Sequence, residues 1–357
     1  MRTALLALCA WPCIAGGFGY NLQITTIPAK VSGSSVKYPL LVRGTFPTLR
    51  TVANGGHVRN ANGFDIAFGT DAACAVALPF LREYWNPSTG DLVAFVTLSS
   101  ISSSAASALF LCYGNASVSS DPQTPAAVWD GAFQGRWGFP DGSTLSAKDS
   151  TSNGLDGTIS NATATAGVID GGALLNGSNA WMDMGVSSAL DPVSAFTVEA
   201  WFNPAASWTL PDGAVVGKID NAAQNGYMIW YTASGNLYIF FNGSATYVGT
   251  FASGSWYHLA LTWDGATYTM YVNGSPARTL GSAVAPHSAG QHFRIGEYSG
   301  SRLAAGVVDE VRYSNICRSA GWIMTEYANY SSPSSFYTVS AENIAPSTTA
   351  AGFGYTL

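Results

Sequence analysis

Short apolar runs, separated every few positions by Gly, Asn, Ser or Pro, repeat along this chain. Tyr20-Asn-Leu-Gln-Ile-Thr-Thr26, Tyr38-Pro-Leu-Leu-Val42, Phe64-Asp-Ile-Ala-Phe68, Leu92-Val-Ala-Phe-Val96 and Ala108-Leu-Phe-Leu-Cys-Tyr113 lie in the first third. Tyr227-Met-Ile-Trp-Tyr231, Leu237-Tyr-Ile-Phe-Phe241 and Tyr268-Thr-Met-Tyr-Val272 follow in the second half. Stretches of this length, rich in β-branched and aromatic residues, favour strands. Asn-Gly stands at Asn54, Asn62, Asn153, Asn176, Asn225, Asn242 and Asn273. This pair suits tight hairpins, whose two central residues both take positive φ. Helical spacing is confined to Ser319–Tyr330, where Trp322, Ile323, Glu326 and Tyr327 predict one short amphipathic helix. The pattern therefore predicts an all-β protein with a single C-terminal helix.

A chain of 357 residues exceeds the usual size of one hydrophobic core, so two sandwich domains are expected. Composition alters the picture at the surface. Only 10% of residues are charged while 13% are aromatic, which leaves Ser, Thr, Asn and Gly to cover the outside. A net charge of -6 without a basic cluster argues against nucleic acid as a partner. Sparse charge also weakens the repulsion between copies, so self-association is expected to be easy.

Met1-Arg2 followed by the apolar run Thr3–Ala10 reads as a secretory signal over residues 1–16, with a cut after Ala15. The run is too short to span a bilayer, and no other segment reaches that length. An extracellular or surface-assembled product is the expectation. Loss of Cys9 and Cys13 would leave Cys74, Cys112 and Cys317. A Cys74–Cys112 bridge is open to the chain, but their apolar, strand-like settings favour buried free thiols.

Residues 17–130 contain Tyr38–Val42, Asn62–Phe68, Glu83–Phe95, Leu111–Asn115 and Val128–Asp130 in an order that resembles an uncharacterised bacterial β-sandwich domain found upstream of laminin-G-like domains. Residues 131–342 carry Asp149-Ser-Thr-Ser-Asn-Gly-Leu-Asp-Gly157, Phe196–Phe202, Trp256–Trp263 with Tyr271-Val-Asn-Gly274, and Val308-Asp-Glu-Val-Arg-Tyr313. Together these resemble the laminin-G-like branch of the concanavalin A-like lectin/glucanase superfamily. The resemblance implies a jelly-roll sandwich and a surface that presents ligands more often than it performs chemistry. Residues 343–357 form an extended tail whose Gly352-Phe-Gly-Tyr-Thr-Leu357 nearly repeats Gly17-Phe-Gly-Tyr-Asn-Leu22. Gly17, Phe18, Tyr20, Phe353, Tyr355 and Leu357 are thus candidate assembly residues, pairing the tail with a neighbour's sheet edge. Coincidence between two short Gly-aromatic segments is the alternative.

Glucanases of this superfamily carry Glu-x-Asp-x-x-Glu on one strand, and the six glutamates here are scattered singly, so no catalytic residue is assigned. Glu199 and Glu310 lie in motifs that usually report packing or an internal ion pair, and Arg312 fits as the partner. His258, in a strand, reads as an internal residue. The resemblance also implies a structural Ca²⁺, for which Asp149, Asn153, Asp156 and Asp309 are the candidate ligands. Plain Asx turns explain Asp149 and Asn153 equally well. Trp181, Trp208 and Tyr247 lie near turns and are candidate sugar platforms, because a ring face packs on the apolar side of a pyranose. The expected function is a secreted, non-enzymatic structural or adhesive protein. A monomeric carbohydrate-binding module is the alternative, and a glycoside-active enzyme the weakest reading.

Overall fold

The computed structural model describes residues 17–346, except 141–142, 221–224, 283, 287, 289 and 299. Strands dominate, and the helices among the described residues are the single turn Pro125–Val128, the helix Ala320–Ser331 and isolated 3-10 turns. Ser319 caps that second helix, its hydroxyl accepting from Trp322 N at 3.1 Å. It begins one residue after the predicted start.

The first sandwich faces a five-stranded sheet against a three-stranded one. The former runs Tyr337–Val339, Tyr20–Thr26, Ala108–Tyr113, Ala67–Gly69, with Asn343–Ile344 also pairing along Tyr20–Thr26. The latter runs Ser34–Thr45, Asp91–Ser102, Phe80–Trp85. Ile24, Leu40, Phe68, Phe95 and Leu111 fill the space between. The strand predicted over Phe64–Phe68 is shorter, because Asp65 accepts from Arg59 N at 2.8 Å and Asn60 N at 2.9 Å and folds that stretch into a turn. Cys74 and Cys112 are joined in a disulfide, which corrects the free-thiol reading. Apolar surroundings do not distinguish the two states, and Cys74 lies in a turn instead of a strand, its N–H donating to Asp71 O at 2.9 Å beside the strand that carries Cys112.

The second sandwich packs an eight-stranded sheet on a nine-stranded one around Phe196, Val198, Tyr227, Ile229, Phe241, Leu261 and Val311. Two of the Asn-Gly pairs close two-residue hairpins as predicted. Asn242 and Gly243 have φ of 46° and 80°, Asn273 and Gly274 51° and 78°, between strands ending at Phe241 and Val272 and starting at Ser244 and Ser275.

The C-terminal segment crosses back to the first sandwich. Asn329 in the helix pairs with the backbone of Leu41, accepting from its N–H at 2.9 Å and donating to its carbonyl at 3.1 Å. Ala345 N then donates to Gly19 O at 3.0 Å. Residues 320–345 thus complete the first core, and the boundary expected between 342 and 343 falls inside its strand-paired edge. The outer face of the eight-stranded sheet also joins that core through Trp201, Ala260 and Tyr271, so one apolar cluster bridges the two sandwiches.

Candidate functional site

The outer face of the nine-stranded sheet holds a concavity. Alternation along Asp212–Asp220, Asn225–Thr232 and Asn236–Phe241 sends Val215, Tyr227, Ile229, Leu237 and Ile239 into the core. The intervening Ala214, Met228, Trp230, Tyr238 and Phe240 face outward. Ala214, Met228 and Phe240 form a separate small apolar cluster that Trp230, Ile219 and Tyr298 partly cover. The small side chains Ala214, Gly243 and Ala245 leave a depression of about 410 Å³ above this floor, walled by Trp230, Tyr298 and Arg302. A second, tighter hollow of about 100 Å³ continues from it past Gly217 to His292, Arg294 and Glu297, sharing Ala214, Met228 and Tyr298.

Aromatic rings continue across the neighbouring strands. Trp230 lies 5.3 Å from Tyr238, and Tyr238 5.5 Å from Tyr247, centroid to centroid. Charge rims the opposite side: Arg302 pairs with Asp212, Arg294 donates to Glu297 at 2.5 Å, and His292 meets Asp183 at 2.8 Å. Three buried polar atoms of this wall have no hydrogen-bond partner, namely Trp230 Nε1, Asp212 Oδ1 and Arg294 Nε. Two donors and an acceptor beside an apolar floor are the elements that fix a hydroxyl-rich ligand.

Of the three sequence-based sugar platforms, two flank this face and one does not. Trp181 carries the Arg294 guanidinium 5.0 Å above its ring, near one margin. Tyr247 stands at the other margin, 46% exposed. Trp208 instead donates its indole N–H to Ala205 O at 3.0 Å and packs on Tyr231 at 5.6 Å, so it serves the core. Sequence reasoning missed Trp230, Tyr238, Tyr298 and Arg302. Strict alternation within Tyr227-Met-Ile-Trp-Tyr231 was the available signal, since Met228 and Trp230 must share the face opposite Tyr227 and Ile229.

The four candidate metal ligands do not form one group. Asp149 accepts from Arg136 N at 3.0 Å, Thr151 N at 2.8 Å, Thr151 Oγ1 at 2.9 Å and Leu155 N at 2.9 Å. Asp156 accepts from Asp149 N at 2.9 Å, and Asn153 donates to Gln134 O at 2.9 Å. These bonds make the loop an Asx-type turn closed by its own backbone. Asp309 lies elsewhere, buried and accepting from Val168 N at 2.9 Å and Ile169 N at 3.1 Å. Of the assembly residues, Phe18 is buried in the first core, and Tyr20 stacks on His57 at 3.9 Å and pairs with Ile344. Gly17 is exposed at the start of the described chain. Phe353, Tyr355 and Leu357, like the expected signal segment, lie outside the described residues.

A second polar assembly is buried between the sandwiches. Arg136 joins Glu83 of the first to Glu310 of the second, and Arg312 joins Glu326 of the helix, with Glu199 Oε2 at 3.7 Å. Glu310 has φ of 51° at a bulge opposite Glu199–Trp201, and the extra residue turns Asp309 and Glu310 toward the same side. Burial pushes Glu326 well above the ordinary carboxylate range and His258 down to about 4. The internal-pair reading of Glu199, Glu310 and Arg312 holds, with Arg136 and Glu326 as the nearer partners.

Residues 176–324 match the family model described as the concanavalin A-like lectin/glucanases superfamily, of the laminin-G type, and this segment is a laminin-G-like domain. Among solved structures, the chain is similar to domain 4 of AbnA, an extracellular GH43 arabinanase from Geobacillus stearothermophilus, in complex with arabinotriose. The identity is 22% over 55% of this chain and 98% of that chain, with a TM-score of 0.43. It is similar to the binding domain of Paraclostridial Mosquitocidal Protein 1 at 15% identity, over 56% of this chain and 52% of that one, TM-score 0.48. Trypanosoma rangeli sialidase gives 17% identity over 63% and 40%, TM-score 0.46. No curated protein sequence matches the chain significantly.

Proposed function

We propose that this chain is an exported, non-catalytic carbohydrate-binding protein whose ligand lies along the outer face of the nine-stranded sheet. The observation that carries the reading is the set of unpartnered polar atoms on Trp230, Asp212 and Arg294 around the apolar floor of Ala214, Met228 and Phe240. A sugar offers both chemistries at once, an apolar ring face for Trp230 and hydroxyls for the three polar atoms. The groove carboxylates Asp212 and Glu297 each pair with an arginine, a positioning role. The Cys74–Cys112 disulfide supports an oxidising destination. A glycan array probed with the intact protein and with Trp230→Ala tests this. Saturable binding to a glycan class, lost in the variant, is expected; absence of any glycan bound by the intact protein would refute it.

One observation favours an added adhesive role through self-association. The strand Asn343–Ile344 runs antiparallel to Tyr20 and Asn21, so the chain heads into its tail beside the first copy of the repeated peptide. Replacement of a neighbour's Gly17–Leu22 by Gly352–Leu357 would then build multimers. Deleting residues 347–357 should leave monomers by light scattering, and unchanged mass would sink this reading.

A further inference from the structure

The buried layer between the sandwiches contains a second cluster, in which the two carboxylates that share Arg312 meet a histidine. One oxygen each of Glu199 and Glu326 and one ring nitrogen of His258 lie within 4.8 Å of one another, and all three residues are buried. Glu199 and His258 stand on adjacent strands, Phe196–Pro204 and Tyr257–Trp263, where Trp201 is opposite His258 and Glu199 two residues before it. Both therefore face away from the second core. Glu326 descends on them from the helix Ala320–Ser331. Trp201 and Tyr327, 5.8 Å apart, close the side, with the His258 ring 5.2 Å from Trp201.

Two observations point to a ligand there. Glu199 Oε2, Glu326 Oε2 and both nitrogens of His258 have no hydrogen-bond partner, although the imidazole is 0% exposed. Buried polar atoms without partners cost about 1–3 kcal/mol each, and one oxygen of each carboxylate with one imidazole nitrogen lies close enough to share a single bound group. Charge is also out of balance. At this point Glu199 and Glu326 share a single guanidinium, Arg312, which leaves one carboxylate without a balancing cation.

We propose that Glu199, His258 and Glu326 bind a divalent transition-metal ion of the zinc type, which fastens the C-terminal helix to the laminin-G-like sheet. An imidazole nitrogen with two carboxylate oxygens suits zinc and its neighbours better than calcium, which takes oxygen alone. Tetrahedral ligation at ~2.1 Å sets the ligand atoms about 3.4 Å apart, so donors separated by as much as 4.8 Å must close by up to about 1.4 Å. Arg312 plays the outer part, holding the second oxygen of Glu326 through Nη1 and thereby orienting the carboxylate. The donors come from residues 199, 258 and 326, so the site exists only in the folded chain and binding contributes to folding.

Elemental analysis of the full chain, purified without chelator or metal-affinity resin, tests the proposal. About one equivalent of a zinc-type metal per chain is expected. The protein should be unfolded and refolded with Zn²⁺ or with EDTA. The refolded EDTA sample should be metal-free and melt several degrees lower. His258→Gln should fold, as judged by near-UV circular dichroism, but retain no metal and show no zinc-dependent rise in melting temperature. Should that variant fail to fold, the two refolding arms of the unaltered protein decide. A metal-free protein whose melting is indifferent to Zn²⁺ would overturn the proposal and leave a proton shared between Glu199 and Glu326 as the balancing charge.

Discussion

Arg136 Nη2 donates to Glu83 Oε2 at 2.9 Å, and the same guanidinium donates through Nε to Glu310 Oε2 at 3.2 Å, so one buried arginine ties the two sandwiches together. Removing it strands two carboxylates in a space closed to water. Loss of one partner from a buried pair costs about 3–5 kcal/mol. Arg136→Met is expected to lose at least that much in urea denaturation, and Glu83→Gln less, because Arg136 keeps Glu310. An Arg136→Met protein within about 1 kcal/mol of the parent would show that the pair contributes little beyond its desolvation cost.

Asp170 gives this junction a pH dependence. Burial first, then the charges of Glu83, Asp309 and Glu310, push its carboxyl up to about 9. A raised folded-state value means that the native chain holds a proton which the unfolded chain releases above its ordinary acidic range. The contribution to stability is full below about 4 and is lost as pH rises toward about 9, by up to ~1.4 kcal/mol per pH unit. Asp170→Asn keeps an acceptor for Gly171 N, now at 2.7 Å, without the titration. Stability curves from pH 5 to 9 should therefore fall less steeply for the variant. Parallel curves would count against the assignment.

The disulfide closes a separation of 38 residues, for which chain entropy alone predicts about 4 kcal/mol. Cys74→Ala with Cys112→Ala should lower the denaturation midpoint accordingly, and a phosphine reductant should bring the parent toward the variant but leave the variant unmoved. An equal response of both proteins to reductant would place the sensitivity at Cys317 instead.

The local grammar of this fold was legible: the strand Tyr20–Thr26, the helix near Ser319–Tyr330 and the Asn242 and Asn273 hairpins follow from period and turn chemistry that act over a few residues. What joins distant segments was not. Nothing in Phe336–Ile344 announces that it pairs with Tyr20–Thr26, because edge pairing depends on which edge is left open once the sandwich has formed. Asn329 reads as a glycosylation sequon, yet it is fully buried on Leu41. Glu310 was legible as an ion-pair residue but not its direction, since a bulge breaks the two-residue period that strand reasoning assumes. The groove was hidden for a related reason. Trp230 and Tyr238 sit in apolar runs, and a run apolar on both faces does not reveal which face stays open.

That ambiguity yields the sharpest test of the groove, by comparing tryptophans. Trp230 offers both a ring face and an unpartnered indole N–H, whereas the Trp208 N–H is already given to Ala205 O. Trp230→Phe keeps most of the ring and removes the donor, so a glycan bound here should weaken by roughly 2- to 13-fold, the equivalent of a hydrogen bond of about 0.5–1.5 kcal/mol. Trp230→Ala removes the platform as well and should weaken binding further, by another ~0.5–1.5 kcal/mol or more. Trp208→Ala should lower stability, because the side chain packs on Tyr231, while leaving affinity for the same glycan unchanged. Calorimetric titration of the three variants with one glycan separates these effects. If affinity followed Trp208 and ignored Trp230, the ligand would belong near the strand ends around Tyr231 and not on the outer face of the sheet.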